Sequence, residues 1–209
     1  MEAMRTAYDP GTAVVRDMLP EIGTVRQVSL RHISRSARYD LVLAGEQVNI
    51  FDPKMGGGAL RDLGVYCVYA MTSLFGRPRE VTNAFVEVAS GADGAGSSLA
   101  RYDHFVVSLD YSKITSSTLP SEISGEDGTL SVDHIASPRL VELQRRTGAS
   151  ERRVVDEPQH TLRGEIGRFS ELIRQGGDAA LDQGATADCL DVLQALEESS
   201  RIGRSITLS

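Results

Sequence analysis

The chain has 209 residues, enough to bury a proper core in one large domain or two small ones. With 41% hydrophobic and 24% charged residues and no tryptophan, it has the composition of an ordinary globular protein. A formal charge of −7 at pH 7 argues against nucleic acid or an anionic membrane as the main partner. The basic clusters in "RQVSLRHISRSARYD" and "ELQRRTGASERR" are offset by acidic residues elsewhere and read as solvated faces. Cys67 and Cys189 form no CxxC pair, which signals neither a zinc site nor a disulfide framework; both read as small buried residues in a reducing compartment. The opening "MEAMRTAYDP" has no apolar stretch of signal-peptide length, and no apolar run is long enough to span a bilayer. The expected location is cytosolic.

In chain order, the first predicted element is a helix from Pro10 to Leu19, with Val14, Val15, Met18 and Leu19 on its apolar side and Gly23 as its stop. "TVRQVSLRHIS" alternates as a strand does. From Arg35 to Pro53 the pattern dissolves into a long polar loop dotted with aromatics, a length usually reserved for function or disorder. Leu60, Leu63, Cys67, Ala70, Met71 and Leu74 then recur at helical spacing, and Gly76 and Pro78 end that helix. "EVTNAFVEVAS", "ARYDHFVVSLDYSKITSSTL", "SEISG" and "GTLSVDHI" read as strands, with "GADGAGSS" and "GEDG" as turns between them and Ser116, Ser117 and Thr118 inside a strand. "RRVVDEP" reads as a last strand of the group. Two helices follow, marked by Leu162, Ile166, Phe169 and Ile173 and by Leu190, Leu193 and Leu196, and "RSITLS" returns as a short strand. Consecutive strands followed by helices predict α+β: an antiparallel sheet with helices on one face.

The chemistry centres on "GGGALRDLGVYCVYAMTSLFG". As a phosphate cradle it fails, because no strand precedes it, its glycine spacing is wrong for G-x-G-x-x-G, and G-K-[ST] is missing. One remaining reading is that the glycines only let the backbone turn tightly into a packed helix. The other is an acid–base wall. Asp62 and Tyr66, four residues apart, share a helical face with Tyr69 close by, distinct from the apolar stripe. A carboxylate beside a phenol can bind a polyol and exchange a proton with it, but a phenol titrates near ~10 and needs a neighbouring cation to act at neutral pH. No lysine lies on that face of the segment, and Lys54 reads equally well as solvated. His32, His104, His134 and His160 show no ligand-like spacing and read as strand histidines on polar faces.

The run from Gly56 to Gly76 resembles the second-domain signature of the glucose–fructose oxidoreductase, inositol dehydrogenase and MocA family (Gfo/Idh/MocA): a glycine group, A-L, D-x-G-x-[HY], and an apolar helix ending in F-G. Tyrosine at Tyr66 followed by Cys67 is similar to the branch of glucose–fructose oxidoreductase and dimeric dihydrodiol dehydrogenase. The resemblance extends to "EAMRTAYDPGTAVVRDMLPEIGTVRQV", "SARYDLVLAGEQVNIFDP", "SEISGEDGTLSVD" and "ADCLDVLQALEESSRIGRSITL", nearly the whole chain in the right order.

The resemblance implies an open, predominantly antiparallel sheet with helices on one face, its other face packing against a second subunit. It implies Tyr66 as proton donor or acceptor, Asp62 as binder of substrate hydroxyls, and Arg38, Tyr39 and Asn49 as pocket residues. The family also carries a Rossmann domain with a glycine fingerprint and an E-K-P lysine, and these 209 residues contain neither. The expectation is therefore a single domain, 1–209. It would be the substrate-binding and oligomerisation half of an NAD- or NADP-dependent oxidoreductase of sugars, polyols or diols, binding no dinucleotide alone and inactive unless a Rossmann partner completes it in trans. The alternative is a dimeric scaffold module or a relic without activity.

Overall fold

The structure, a computed structural model, describes residues 4–156 and 162–208. Its centre is a mixed sheet of β1 (Val25–Ile33), β2 (Glu80–Glu87), β3 (Asp93–Arg101), β4 (Val106–Ser112), β5 (Ser121–Gly125), β6 (Gly128–Val132), β7 (Leu140–Arg145), β8 (Ser150–Val154) and β9 (Ile206–Thr207). The strand order is β8-β7-β6-β5-β1-β4-β3-β2-β9, and every pairing is antiparallel except β1 with β4. Alternation along the strands sends Val28 and Leu30, Val107 and Leu109, and Ile123, Leu130, Val141 and Leu143 to one face, where they are buried. The expected α+β class with one helix-covered face is what the chain forms.

Helices α1 (Arg5–Tyr8), α2 (Pro10–Met18), α3 (Tyr39–Leu43), α4 (Val65–Phe75), α5 (Arg163–Gln175) and α6 (Ala180–Ile202) complete the fold. At α2 the Asp9 carboxylate accepts from the Gly11 N–H and Pro10 fills the first position, a favourable helix start. Cys67, Val68 and Met71 of α4 and Cys189, Val192 and Leu196 of α6 join the sheet in one core. The opposite sheet face is open and built mainly of small and polar side chains: Thr82 and Ala84, Ser97, Leu99 and Arg101, Val106 and Ser108, and Glu122. The apolar side of α5 also faces solvent, with Ile166, Phe169 and Ile173 all exposed.

Four readings from sequence need correction. "GADGAGSS" is not a turn: most of it forms β3, and its glycines answer to packing. The Tyr111 ring, buried on β4, crosses β3 at Gly96, where a Cβ would collide with its hydroxyl, and donates its O–H to Asn83 Oδ1 at 2.8 Å. Ser98 donates to the same oxygen at 2.8 Å, while Asn83 Nδ2 donates to Ser200 on α6 at 2.6 Å. This buried network ties β2, β3 and β4 to α6. Ser116, Ser117 and Thr118 lie in a loop after β4 ends at Ser112. "LVELQR", read only as part of a charged surface, is β7. The 35–53 segment is not featureless: it contains α3 and two short 3₁₀ turns, Asn49–Phe51 and Pro53–Met55, folded around its own small core of Val42, Val48, Phe51, Val88 and Ala92.

Gly96→Ala should lower stability by roughly 1–3 kcal/mol, the usual cost of overpacking. Gly184→Ala is the control: it lies inside α6, where an added Cβ meets nothing, and should be neutral or stabilising by about 0.5–1 kcal/mol. Denaturant midpoints at constant slope measure both.

Candidate active site

The glycine run solves a steric problem at the start of a helix. Gly58 has φ +147° and lies so close to Asp93 that a Cβ would strike its carboxylate. That carboxylate, at the start of β3, accepts from the Leu60 N–H at 2.6 Å and also from the backbone of Ala59. An anion thus does occupy this helix start, and it is the protein's own Asp93. Burial pushes its carboxyl above the ordinary value, against the lowering effect of the backbone N–H groups of Leu60, Asp93 and Ala59. Leu60–Gly64 then forms a single π-helical turn that runs into α4. Gly64 lies against the Tyr111 ring, where a Cβ would be 3.1 Å from its atoms, so its bare Cα lets the turn lie close on the sheet. Such π turns inside helices are frequent at functional sites.

Asp62 projects from this turn with its side chain 53% exposed. Its Oδ2 is 2.7 Å from Nζ of Lys113, a residue just beyond β4 whose side chain is 2% exposed. The same ammonium donates to the Ile50 carbonyl at 2.8 Å and lies 4.7 Å from the centre of the Phe51 ring. The lysine is sunk and the carboxylate is half in water. Lys113 therefore holds Asp62 from behind and leaves its other side open to a ligand.

Tyr66, in the first turn of α4, is half-buried. The guanidinium of Arg5 lies 5.9 Å from its ring centre, and the His32 ring meets it edge-on at 5.2 Å. His134, after β6, packs edge-on against His32 at 4.9 Å. His32 lies within reach of both the Asp62 charge and the Leu63 carbonyl, and its Nδ1 is buried without a hydrogen-bond partner. Burial above all, with the charge of His134 adding, pushes His32 down from 6.5 to about 4, against the opposing pulls of Asp62 and Leu63. Burial likewise lowers His134.

Of the residues singled out from sequence, Asp62 and Tyr66 both neighbour His32, Asp62 through its charge and Tyr66 through an edge-on ring contact. Arg38 and Asn49 are exposed on the 35–53 segment, Arg38 Nη1 donating to Asn49 Oδ1 at 3.4 Å. Asn49 adjoins Ile50, whose carbonyl holds Lys113. Tyr39 instead packs on Phe51, with ring centres 5.8 Å apart, and supports the segment from within. Tyr69 is buried on the α6 side, lining a groove with Val65, Cys189 and Leu193, and does not join Asp62 and Tyr66. Lys54 is exposed, and His104 is exposed; His160 lies outside the described residues. Two cations do lie at this face, both from outside the helix: Lys113 at Asp62, and Arg5 against the Tyr66 ring. The reading of all the histidines as polar-face residues fails for His32, whose Nδ1 is buried; His134 is exposed. One signal could have revealed Lys113: it continues the inward parity of Val107, Leu109 and Tyr111, so alternation aims it at the core.

Chemically, the mouth offers a carboxylate to accept hydrogen bonds from hydroxyls and a phenol to exchange a proton. Among the described residues there is no group of three or more potential metal ligands, and no helix is long and apolar enough to cross a membrane. The described sheet does not fit a dinucleotide: with one parallel strand pair it has no doubly wound switch point, and its helix-start anion position is filled by Asp93. A groove of about 500 Å³ lies on the far side of the glycine run, lined by Gly57, Arg61, Asn83, Asp93 and Glu197, and neither Asp62 nor Tyr66 lines it.

The depressed His32 sets a pH dependence. Below its ordinary value of 6.5 the unfolded chain takes up a proton that the folded chain refuses, so stability falls as pH drops from about 6.5 to about 4. His134 adds to the same trend. His32→Gln should flatten the slope of unfolding free energy across that window; an unchanged slope would remove His32 as its source.

With this geometry in view, comparison with known proteins is direct. Residues 15–131 match the GFO/IDH/MocA C-terminal domain. Over 175 residues the chain is 38% identical to scyllo-inositol 2-dehydrogenase (NADP(+)) IolU of Bacillus subtilis (strain 168), covering 84% of this chain and 53% of that protein. It is 24% identical to D-xylose 1-dehydrogenase (NADP(+)) 2 of Haloferax volcanii, covering 100% of this chain and 64% of that one. Aldose–aldose oxidoreductase from Caulobacter crescentus, solved in complex with glycerol, superposes with a TM-score of 0.79 at 19% identity, over 98% of this chain and 62% of that one. The chain spans about half the length of the first of these relatives. It belongs to the Gfo/Idh/MocA family of oxidoreductases, and its fold is that family's C-terminal domain.

Proposed function

We propose that this chain is the substrate-binding and oligomerisation half of an NAD(P)-dependent oxidoreductase acting on a sugar, polyol or diol. Oxidation of a C–OH group removes a proton from oxygen and a hydride from carbon. The residues here serve the proton side. Asp62 accepts hydrogen bonds from the hydroxyls, and Tyr66 takes or returns the proton at its Oη. Arg38 and Asn49 contact the outer part of the substrate, and Tyr39 holds their segment in place. The nicotinamide is held by a dinucleotide-binding domain distinct from this fold, joined to it or supplied in trans. The observation that carries this reading is a lysine-backed, half-exposed carboxylate on the turn leading into the helix that bears the phenol, with His32 against the phenol and within reach of the carboxylate's charge. The names of the two NADP(+)-dependent relatives, an inositol and a xylose dehydrogenase, agree with a polyol or sugar substrate.

The test supplies the dinucleotide-binding half of the inositol dehydrogenase, fused or in trans, and follows nicotinamide reduction with a panel of inositols, aldoses and vicinal diols. Turnover should appear, and Tyr66→Phe should lower it about 10²–10⁴-fold, the usual contribution of a positioned acid or base. Asp62→Asn should act mainly by raising KM. Absence of turnover with every added domain and substrate would favour the scaffold alternative, and reduction by the chain alone would contradict the division of labour.

Assembly is the second part of the proposal. The open sheet face, lined mainly with small and polar side chains around Leu99, suits a two-fold pairing with another copy. Light scattering at micromolar concentration should give a dimer, and Leu99→Arg should give a monomer. A monomeric parent chain would contradict this.

A further inference from the structure

Lys113 is a buried cation that the acid–base chemistry does not consume. Its ammonium has three donors and three neighbours: Asp62 Oδ2 at 2.7 Å, the Ile50 carbonyl at 2.8 Å and the Phe51 ring face at 4.7 Å. Its backbone is equally committed. The Lys113 N–H donates to the Gly94 carbonyl at 2.8 Å, and the Lys113 carbonyl accepts from the Ser36 N–H at 2.8 Å. Ser36, Ile50 and Phe51 all belong to the segment between β1 and the glycine run, the one that carries Arg38, Tyr39 and Asn49. Neighbouring Ile114 packs against the small core inside that segment. One residue therefore joins β3, both ends of this segment and the exposed carboxylate.

Surface solvation does not explain such a lysine. A lysine whose side chain is 2% exposed is tolerated only where its charge is neutralised and its donors are engaged. Its sole carboxylate partner among the described residues is the half-exposed Asp62, which water alone could have solvated. The arrangement costs a buried charge and yields a carboxylate aimed outward beneath a fixed segment.

We propose that Lys113 is a positioning residue that latches the 36–57 segment to Asp62, so that the carboxylate and the substrate-facing segment are set as one unit. It acts through Asp62 and Ile50 and does not touch the substrate. The link to a hydroxyl-bearing substrate rests on the function proposed above; the latch itself does not.

Amide hydrogen exchange on the whole chain decides it. In Lys113→Met, exchange across 36–57 should accelerate at least about ten-fold while β5, β6 and β7 keep their protection. Because this variant can lose overall stability, the pair Asp62→Asn/Lys113→Met is measured beside it. With no unpaired charge left, its unfolding midpoint should lie close to that of the parent, yet 36–57 should still exchange fast, because the Ile50 carbonyl has lost its donor. Exchange across 36–57 within two-fold of the parent in that double variant would overturn the latch, as would acceleration spread evenly over the sheet. Scyllo-inositol added to the parent chain reads the substrate link separately. If 36–57 slows with the polyol in the parent and not in the double variant, both proposals hold. If the polyol changes nothing in the parent while the latch results stand, the substrate assignment fails and the latch survives.

Discussion

The site depends on an ammonium that has been taken out of water. Lys113 lies under the π turn with Asp62 as its counter-charge, and much of the surrounding geometry follows from that need. Removing one partner of a buried pair costs roughly 3–5 kcal/mol, and the half-exposed Asp62 brings this pair toward the lower end because water can replace part of the interaction. The pair is poor value as a stabilising device, since a hydrophobic residue would fill the same space without desolvating a charge. Its effect is to fix where a carboxylate points.

A second, partly buried carboxyl sets the other coordinate. Asp93 accepts from the Leu60 N–H at the helix start, and Gly58 gives it room. Gly64 lets the following turn lie close on Tyr111, which in turn needs Gly96 on the neighbouring strand. The glycine run, the D-x-G spacing and the glycines of β3 thus form one packing solution, in which Asp93 and Tyr111 fix the height and angle at which Asp62 and Tyr66 leave the sheet. Around Tyr66 the contacts are aromatic and cationic, from His32 and Arg5, while around Asp62 they are ionic. The phenol and the carboxylate are held by different means at one mouth.

The sequence made some of this legible and hid the rest for physical reasons. Alternation in β1 and β4 was readable because each buries one face against a single large core; α4 was readable from its apolar spacing, although it is buried all round from Cys67 to Thr72. β3 was not, because Gly94 and Gly96 carry turn chemistry on paper and owe their presence to side chains on other segments, Val88 and Ile114 at one and Tyr111 at the other. The 35–53 segment read as loop because its core is small and completed by Val88 and Ala92 from far along the chain. Asp62 and Tyr66 stand out in the sequence through i, i+4 spacing on a regular helix, whereas Asp62 lies in the π turn and Tyr66 in the first turn of α4. Lys113, His32 and His134 do not stand out, since a lone lysine or histidine looks solvated until the topology brings its partners to it. Parity along β4 was the one local hint for Lys113.

The central claim is that the Asp62–Tyr66 mouth is where a hydroxylated substrate is held. A crystal structure of the chain with scyllo-inositol tests it most directly. The account predicts one substrate hydroxyl within hydrogen-bond distance, ~2.7 Å, of Asp62 Oδ1 and another as close to Tyr66 Oη, with the Lys113 contact to Oδ2 intact. A polyol seated in the groove lined by Asn83, Asp93 and Glu197, with the Asp62 mouth filled only by water, would contradict it.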